Sequence, residues 1–244
     1  MRRTEIIMGM PITIEIVNNA SRSFVADLFN FFRAVDCRFS PYKNDSELAK
    51  INQGLPQDKW SKEMKEVMRL SEQTKQITYG YFDINRSGKL DPSGIVKGWS
   101  IAQAAKRLKK HGLVDFYVEA GGDIQAEGHA AKGEGWLVGI RNPFKIDEIV
   151  KVLSISGQGV ATSGAYIRGE HVYNPLNNYT SPKGVASITV IATDILDADR
   201  FATAAYAMGM KGINLIRQLP GLEAYQINSD GKAIYTPGFE AYVA

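Results

Sequence analysis

Two side chains with oxygen donors lie four residues apart near the start of a predicted helix. Asp199 and Thr203 would share one face of a helix over residues 197–210, because residues i and i+4 lie one above the other. A carboxylate and a hydroxyl on one face can bind a hard cation such as Mg²⁺. The simpler interpretation is that Asp199 favours the helix start and that Thr203 bonds to its own backbone. The local sequence alone favours this second interpretation.

A second stretch, residues 91–98, contains residue types that commonly bind phosphate. Gly94 and Lys97 open another predicted helix just after Asp91. Glycine allows close backbone approach, and a lysine one turn on can neutralise a phosphate. A capped helix with an exposed lysine is the simpler local interpretation. The chain has no GxxxxGK[ST] motif and no GxGxxG between a strand and a helix, which argues against the common phosphate-loop folds.

Three further stretches place polar residues next to apolar runs. Gly121, Gly122 and Asp123 lie between two predicted strands, where a ligand could contact the main chain, although a plain hairpin turn explains them as well. Ser163 lacks the GxSxG elbow and a partner acid, which argues against a nucleophile. His171 is one of three histidines, and a lone histidine is more often structural than catalytic.

Composition excludes several classes of protein. The chain has 244 residues, 44% of them hydrophobic, and a net charge of only +3, which gives no reason to expect a nucleic-acid partner. The basic run at 106–110 is interpreted as the solvated end of a helix. Cys37 is the single cysteine, so no internal disulfide is possible. Its neighbours Val35 and Phe39 suggest a thiol in or near the core.

The sequence carries no sign of a membrane segment. It has no apolar run of 18 residues, and residues 1–5 are followed at once by a strand-like pattern instead of the apolar stretch of a signal peptide. We therefore expect no membrane insertion. The expected location is cytoplasmic, or periplasmic if a leader has been removed.

The first half of the chain predicts mainly helices. An alternating, isoleucine-rich stretch over 5–17 predicts a hairpin broken at residues 9–11. Ser21, then Asp45 or Ser46, and then Ser61 are predicted to cap three helices. A short extended piece over 80–84 and a long helix over 94–110 follow.

After Gly112 the pattern changes to strands. They are predicted over 115–119, 124–127, 135–140, 150–155, 159–163, 186–192, 222–228 and 232–235. Helical segments over 197–210 and 212–218 interrupt them. Because several strands follow one another directly, we expect an α+β protein with antiparallel or mixed sheets and packed helices, in a single domain over 1–244.

The order of these stretches resembles the ApbE-like flavin transferases, enzymes that cleave FAD and attach FMN to a Ser or Thr of another protein. The similar segments cover residues 6–236, nearly the whole chain. They are Met8-Gly9, Phe39-Ser-Pro-Tyr42 with Ser46-Glu-Leu48 and Asn52, Gly80-Tyr-Phe-Asp83, Asp91 to Gly98, Gly121-Gly122-Asp123, Thr162-Ser163-Gly164, His171 to Pro175, and Asp199 with Thr203.

The chain departs from the family pattern at four places, the first being Met10, which replaces a Thr. Asn174 stands where the family usually has Asp, Asn177-Asn178 replaces Thr-Gly, and Glu119 replaces Asn before the double glycine. These departures concern details of the flavin pocket more than the fold.

The resemblance implies an ApbE-like, T-fold-related architecture with FAD in a cleft. Tyr42 would stack on the flavin or the adenine, since a planar ring offers contact area at little entropic cost. Asp91 and Lys97 would bind ribityl, ribose or phosphate groups. Mg²⁺ would be held on the pyrophosphate by Asp199, Thr203 and the Gly94 carbonyl, all oxygen donors. The pocket would be lined by Met8, Tyr81, Phe82, Asp83 and Tyr173.

The implied activity is that of a Mg²⁺-dependent FAD:protein FMN transferase. A Ser or Thr hydroxyl of an acceptor protein would attack the FMN phosphorus, and AMP would leave. His171 is the first candidate for the general base, because its ordinary pKa is near neutrality, and Asp123 is the second. Two alternatives stay open: a Mg²⁺-dependent FAD pyrophosphatase, in which water replaces the acceptor, and an FAD-binding protein without catalysis.

Overall fold

The structure is a computed structural model that describes residues 1–17, 20–131, 133–165, 172–177 and 180–244. Its centre is an eight-stranded sheet in the order β1-β2-β5-β6-β9-β10-β11-β12. Every neighbouring pair in that sheet is antiparallel. Two hairpins, β3–β4 and β7–β8, form separate two-stranded sheets. The predicted α+β class with antiparallel sheets is confirmed.

The strands are β1 (Arg2–Ile7), β2 (Met10–Ile16), β3 (Asn85–Arg86), β4 (Lys89–Leu90), β5 (Phe116–Ala120), β6 (Asp123–Glu127), β7 (Trp136–Arg141), β8 (Ile149–Ile155), β9 (Gly159–Gly164), β10 (Val185–Ala192), β11 (Glu223–Asn228) and β12 (Ala233–Tyr235). The helices are α1 (Arg22–Phe39), α2 (Glu47–Asn52), α3 (Lys62–Ile77), α4 (Ser93–Lys110), α5 (Ile195–Ala207) and α6 (Gly212–Gln218).

Three serines begin the first three helices, as predicted. The hydroxyls of Ser21, Ser46 and Ser61 each accept a hydrogen bond from the backbone N–H three residues on. Each bond satisfies one of the N–H groups that have no partner within the first turn of a helix. The choice between Asp45 and Ser46 is thereby resolved in favour of Ser46.

The two faces of the large sheet are covered differently. Helices α1, α4, α5 and α6 pack on one face, where Phe29, Phe116 and Ile188 belong to one buried cluster with residues of these helices. On the other face the β7–β8 hairpin packs through Leu153 and Ile155, which share a second cluster with Phe239. The sheet therefore has a helical side and a hairpin side.

The β3–β4 hairpin was not predicted. The sequence pattern indicated an extended piece over 80–84, whereas the structure has turns and bends there and the short strands begin at Asn85. Two-residue strands are too short to show a periodic pattern, but Ser87 and Gly88, with φ of +52° and +81°, form a turn that favours a hairpin.

Cys37 is exposed, so its predicted place in or near the core is wrong. It lies on α1 between the buried Val35 and Phe39. Residues two apart on a helix point to opposite sides, so buried neighbours at that spacing indicate an exposed position. In the described part of the chain, no helix is long and apolar enough to cross a membrane.

Candidate active site

A cleft opens where the first two turns of α4 and the middle of α5 meet the end of β9. It encloses about 730 Å³ when the open mouth is included. Residues from five parts of the chain line it: Tyr81, Phe82, Asp83, Ile84, Asp91, Ser93, Gly94, Lys97, Thr162, Ser163, Val172, Tyr173, Pro175, Asp199 and Thr203.

Helices α4 and α5 are in very close contact at the cleft. Gly98 N donates a hydrogen bond to Asp199 Oδ2 at 2.7 Å. A Cβ atom added to Gly98 would lie 2.6 Å from Asp199 Cβ and 2.8 Å from the Ile195 carbonyl oxygen. Only a glycine lets the two helices approach this closely. The contact fixes the Asp199 carboxylate at the base of the cleft.

Three oxygen donors converge beside this contact. Thr203 Oγ lies 3.4 Å from the Gly94 carbonyl oxygen, and Asp199 lines the same cleft. Two oxygens bound side by side to one Mg²⁺ at 2.0–2.1 Å would lie about 3 Å apart, so the observed spacing is close to that of a ligand pair. The donors are hard oxygens from a carbonyl, a hydroxyl and a carboxylate, and they fit a hard cation.

The protein alone supplies few ligands for such an ion. The described residues contain no group of three or more His, Cys, Asp or Glu side chains arranged to hold a metal. Mg²⁺ in proteins is commonly bound by one or two carboxylates, with substrate phosphates and water completing its coordination. A site with one carboxylate therefore fits an ion that arrives with a phosphate ligand.

Lys97 is the positive charge at the centre of the site. Its ammonium lies 2.5 Å from Asp123 Oδ2 and 3.6 Å from Asp199 Oδ1. Burial raises the pKa of the Asp199 carboxyl to about 7; the Lys97 charge opposes this rise and the Asp123 charge adds to it. One cation thus faces two carboxylates, and the site carries a net negative charge when both are ionised.

Asp123 stands behind the cleft instead of lining it. The Asp123 side chain is 2% exposed, its Oδ1 accepts a hydrogen bond from Thr162 N at 3.1 Å, and its Oδ2 faces Lys97. Both oxygens of this carboxylate are therefore already engaged, one by a backbone N–H and the other by the Lys97 ammonium. The geometry favours a role in holding Lys97 over a role as a base.

A contact across the cleft joins two distant parts of the chain. Tyr173 Oη donates a hydrogen bond to the Asp83 carbonyl oxygen at 3.0 Å, and the Arg86 guanidinium lies 4.7 Å from the centre of the Tyr173 ring. Asp83 itself forms an ion pair of 2.7 Å with Lys75 on α3. This wall is therefore tied both to α3 and to the segment containing Tyr173.

Most residues predicted for the site line this one cleft. They are Tyr81, Phe82, Asp83, Asp91, Gly94, Lys97, Tyr173, Asp199 and Thr203. Met8 and Tyr42 are not among the lining residues, and the Tyr42 side chain is 92% exposed. His171 lies outside the described residues.

Sequence reasoning about individual side chains missed several lining residues. Ile84, Ser93 and Val172 were not singled out, although each adjoins or lies within a stretch that was. Thr162, Ser163 and Pro175 belong to the quoted motifs but were given no role. The sequence signal that could have identified these residues was their position next to the named ones.

Two departures from the family pattern have local structural roles. Glu119 Oε1 accepts a hydrogen bond from Gly122 N at 2.6 Å and closes the double-glycine turn. Asn174 Oδ1 accepts from Leu176 N at 2.9 Å, which is the bond of an Asx turn. Both side chains stabilise loops that lead into the site.

The sequence model of the ApbE family matches residues 8–88 and 84–226. The chain belongs to the ApbE family. The family prediction is thereby confirmed, and the motifs that carried it lie within the matched ranges.

Curated relatives have the same printed description. The FAD:protein FMN transferase of Salmonella typhimurium is 26% identical over 166 residues, covering 63% of this chain and 47% of that protein. The FAD:protein FMN transferase of Treponema pallidum is 31% identical over 168 residues, covering 62% of this chain and 46% of that protein. The aligned part thus spans about half the length of these relatives.

Solved structures confirm the ApbE fold over the whole chain. The flavin transferase ApbE from Vibrio cholerae superposes with a TM-score of 0.88 at 20% identity, covering 99% of this chain and 98% of that chain. The ApbE protein from Thermotoga maritima gives a TM-score of 0.87 at 20% identity, covering 100% and 99%.

Proposed function

We propose that the protein is a Mg²⁺-dependent FAD:protein FMN transferase. It would cleave FAD, attach FMN through a phosphoester bond to a Ser or Thr of an acceptor protein, and release AMP. The observation that carries the proposal is the convergence of the Gly94 carbonyl, Asp199 and Thr203 beside Lys97 in one cleft. Family membership and the names of the curated relatives support the same reaction.

The metal would bind to Gly94 O, Thr203 Oγ and Asp199 Oδ1. Asp199 Oδ2 is already engaged by Gly98 N, which orients the carboxylate and leaves Oδ1 towards Lys97. When bound, Mg²⁺ would offset the charge that develops on the pyrophosphate during phosphoryl transfer. The dependence on phosphate ligands accounts for a site with a single carboxylate.

The flavin nucleotide would lie along the walls of the cleft. Phe82 and Tyr173 offer ring surface, while Asp91 and Lys97 offer a carboxylate for hydroxyl groups and an ammonium for phosphate. Contacts from Met8 and Tyr42 rest on the family resemblance alone. Because the metal ligands and Lys97 suit a pyrophosphate, we expect FAD to bind more tightly than FMN or riboflavin.

The acceptor hydroxyl would attack the FMN phosphorus as the bond to AMP breaks. Its proton needs an acceptor, and His171 is the proposed base on sequence grounds, since neutral imidazole accepts a proton near pH 7. Asp123 stays the second candidate, although its contact with Lys97 argues for a supporting role. Lys97 would stabilise negative charge on the phosphates from the side of the cleft opposite the solvent.

The test is product analysis with purified protein, FAD, Mg²⁺ and a candidate acceptor. We expect the acceptor to gain the mass of one FMN less one water, with one AMP released for each. Thr203→Val removes one ligand oxygen at nearly constant volume and should lower the rate at least tenfold, as losses at metal sites commonly do. Asp197→Asn is the matched control, because Asp197 is on the same helix but pairs with Arg200.

Three outcomes would contradict parts of this proposal. Equal rates for Thr203→Val and Asp197→Asn would exclude the metal assignment. AMP release at the same rate without any acceptor would identify a pyrophosphatase. Intact FAD after prolonged incubation with Mg²⁺ and acceptor, despite tight binding, would identify a binding protein without catalysis.

A further inference from the structure

The β3–β4 hairpin joins two segments of the chain that line the cleft, although its own residues do not line it. Its strands are two residues long and pair only with each other among the described strands. Isolated two-stranded hairpins are at best marginally stable in water. Both arms lead into the cleft: Phe82, Asp83 and Ile84 precede the hairpin, and Asp91 follows it directly. Packing of Leu90 against a buried cluster holds the hairpin in part, and the rest of its support has to come from outside the hairpin.

Asn52 supplies that support through both polar atoms of its carboxamide. Its Nδ2 donates to the Leu90 carbonyl oxygen at 3.0 Å, and its Oδ1 accepts from Leu90 N at 2.8 Å. These are the two bonds that a neighbouring strand would make with one residue. Leu90 is paired with Asn85 on the opposite side, so Asn52 occupies the outer edge of β4.

Asn52 is a suitable anchor because its helix is itself fixed. It is the last residue of α2, where Leu48 and Ile51 are buried. The helix is capped by Ser46, which is 1% exposed and donates a hydrogen bond to the Ser40 carbonyl oxygen at 2.8 Å. The side chain that holds the hairpin thus extends from a short helix anchored in the core at both ends.

The residues that follow Leu90 connect the hairpin to the site. Asp91 N donates to the Ile84 carbonyl oxygen at 2.7 Å, which closes the base of the hairpin, and Asp91 Oδ1 accepts from Ser93 N at 3.1 Å at the start of α4. Gly94, one of the proposed metal ligands, is one residue further on. A shift of Leu90 would therefore move Asp91 and the first turn of α4.

We propose that Asn52 is a positioning residue that sets the cleft wall for the flavin nucleotide. The proposal rests on the proposed function for the identity of the ligand. Asn52 is exposed to solvent, so its hydrogen bonds compete with water and contribute little to global stability. Its main effect would be on the geometry of the hairpin and, through it, on FAD affinity.

The experiment compares Asn52→Ala and Asn52→Asp with a matched control, Gln53→Ala, which removes the exposed amide one residue further on. Asn52→Asp keeps the size and the acceptor oxygen but places a carboxylate against the Leu90 carbonyl. In Asn52→Ala, which loses both contacts, we expect the Leu90 amide to exchange with solvent at least tenfold faster; Asn52→Asp keeps the acceptor oxygen and should show a smaller increase. We also expect the Kd for FAD to rise about tenfold, with a melting temperature within about 3 °C of the unmutated protein.

Each result supports or overturns the proposal. Unchanged exchange at Leu90 would mean that Asn52 does not hold the hairpin. Faster exchange with unchanged FAD affinity would overturn the positioning role. Large parallel losses of melting temperature and affinity would show a purely structural residue. If the unmutated protein binds no FAD, the proposed function fails and the role in FAD binding fails with it, whereas the exchange result still reports separately on the hairpin contact.

Discussion

At the scale of single residues, the site depends on the balance between one lysine and two carboxylates. Lys97 is only 15% exposed, and its partners Asp123 and Asp199 are 2% and 5% exposed at their side chains. Taking charges out of water costs several kcal/mol each unless they are paired. In the protein without metal, the charge of the Lys97 ammonium offsets the cost of burying the two carboxylates.

Lys97→Met should therefore destabilise the metal-free protein. Removing one partner of a buried ion pair costs about 3–5 kcal/mol, and partial exposure of Lys97 reduces the expected loss to about 2–3 kcal/mol. That corresponds to a fall in melting temperature of roughly 5–10 °C for a chain of this length. The control is Lys109→Met, which removes a lysine that is 53% exposed and paired with Glu127; exposed pairs contribute about 0–1 kcal/mol. Equal shifts in the two variants would contradict the role of Lys97.

The raised pKa of Asp199 predicts the pH dependence of the metal-free protein. Burial raises the pKa of this carboxyl to about 7, whereas an Asp in an unfolded chain has a pKa near 3.9. Between these values the folded state binds more protons than the unfolded state. The contribution of Asp199 to stability is therefore largest at or below about pH 4 and falls as the pH rises to about 7.

The measurement is the free energy of unfolding between pH 4 and 8 for the unmutated protein and for Asp199→Asn. The asparagine cannot titrate, so the difference between the two curves should change with pH in this window and become flat above it. Asp197→Asn, on the same helix and 37% exposed, should show a much weaker change. A difference that is constant from pH 4 to 8 would contradict the raised pKa.

At the scale of helices and strands, local patterns predicted most of what the structure contains. Serine caps located the starts of α1, α2 and α3 because capping is a contact within four residues. An alternating stretch located the β1–β2 hairpin, and an apolar run located β10, which is buried along nearly its whole length. The β3–β4 hairpin was not predicted because its side chains are largely exposed and show no hydrophobic periodicity.

Long-range contacts could not be read from the same patterns. The ion pair of Lys97 with Asp123 joins α4 to the start of β6, and the bonds from Asn52 to Leu90 join residues 38 apart in sequence. Such contacts depend on strand order and helix packing, for which one sequence gives no local signal. The resemblance named most of the cleft residues, but the pairing partner of Lys97 came from the structure.

Gly98 offers a test of the contact between α4 and α5. From helix propensity alone, Gly98→Ala should stabilise the protein by up to about 1 kcal/mol. The structure predicts the opposite sign, because the added Cβ would lie 2.6 Å from Asp199 Cβ and 2.8 Å from the Ile195 carbonyl oxygen. Overpacking of this kind costs about 1–3 kcal/mol, and moving α5 away would also displace Asp199.

We expect Gly98→Ala to unfold at a lower denaturant concentration and to bind Mg²⁺ and FAD more weakly. Lys106→Ala, an exposed position on the same helix, serves as the control and should leave both properties nearly unchanged. A stabilised Gly98→Ala variant would mean that the helices are further apart in solution than the structure has them.

At the scale of the whole molecule, the large sheet separates two regions with different roles. The helical side carries α4 and α5 and thus the proposed metal ligands. The hairpin side is covered by β7–β8, whose Leu153 and Ile155 pack into the cluster with Phe239. Mutations at sites more than about 10 Å apart, with no shared contact partners, usually have independent effects on stability. The β7–β8 hairpin should therefore contribute to stability without changing the affinity of the cleft for FAD.

Leu153→Ala and Leu137→Ala test this separation on the same hairpin. Leu153 is 0% exposed and Leu137 is 66% exposed, so the first change should cost about 2–5 kcal/mol and the second less than about 0.5 kcal/mol. Measured well below the melting temperature, where both variants are folded, the Kd for FAD should stay within about twofold of the unmutated value. A Leu153→Ala protein that is folded but binds FAD tenfold more weakly would show that packing on the far face of the sheet reaches the cleft. Two strands connect the two sides: β9 has Val160 in the hairpin cluster and Thr162 in the cleft wall, and β6 has Ile124 in that cluster and Asp123 against Lys97. Such coupling would pass through these strands.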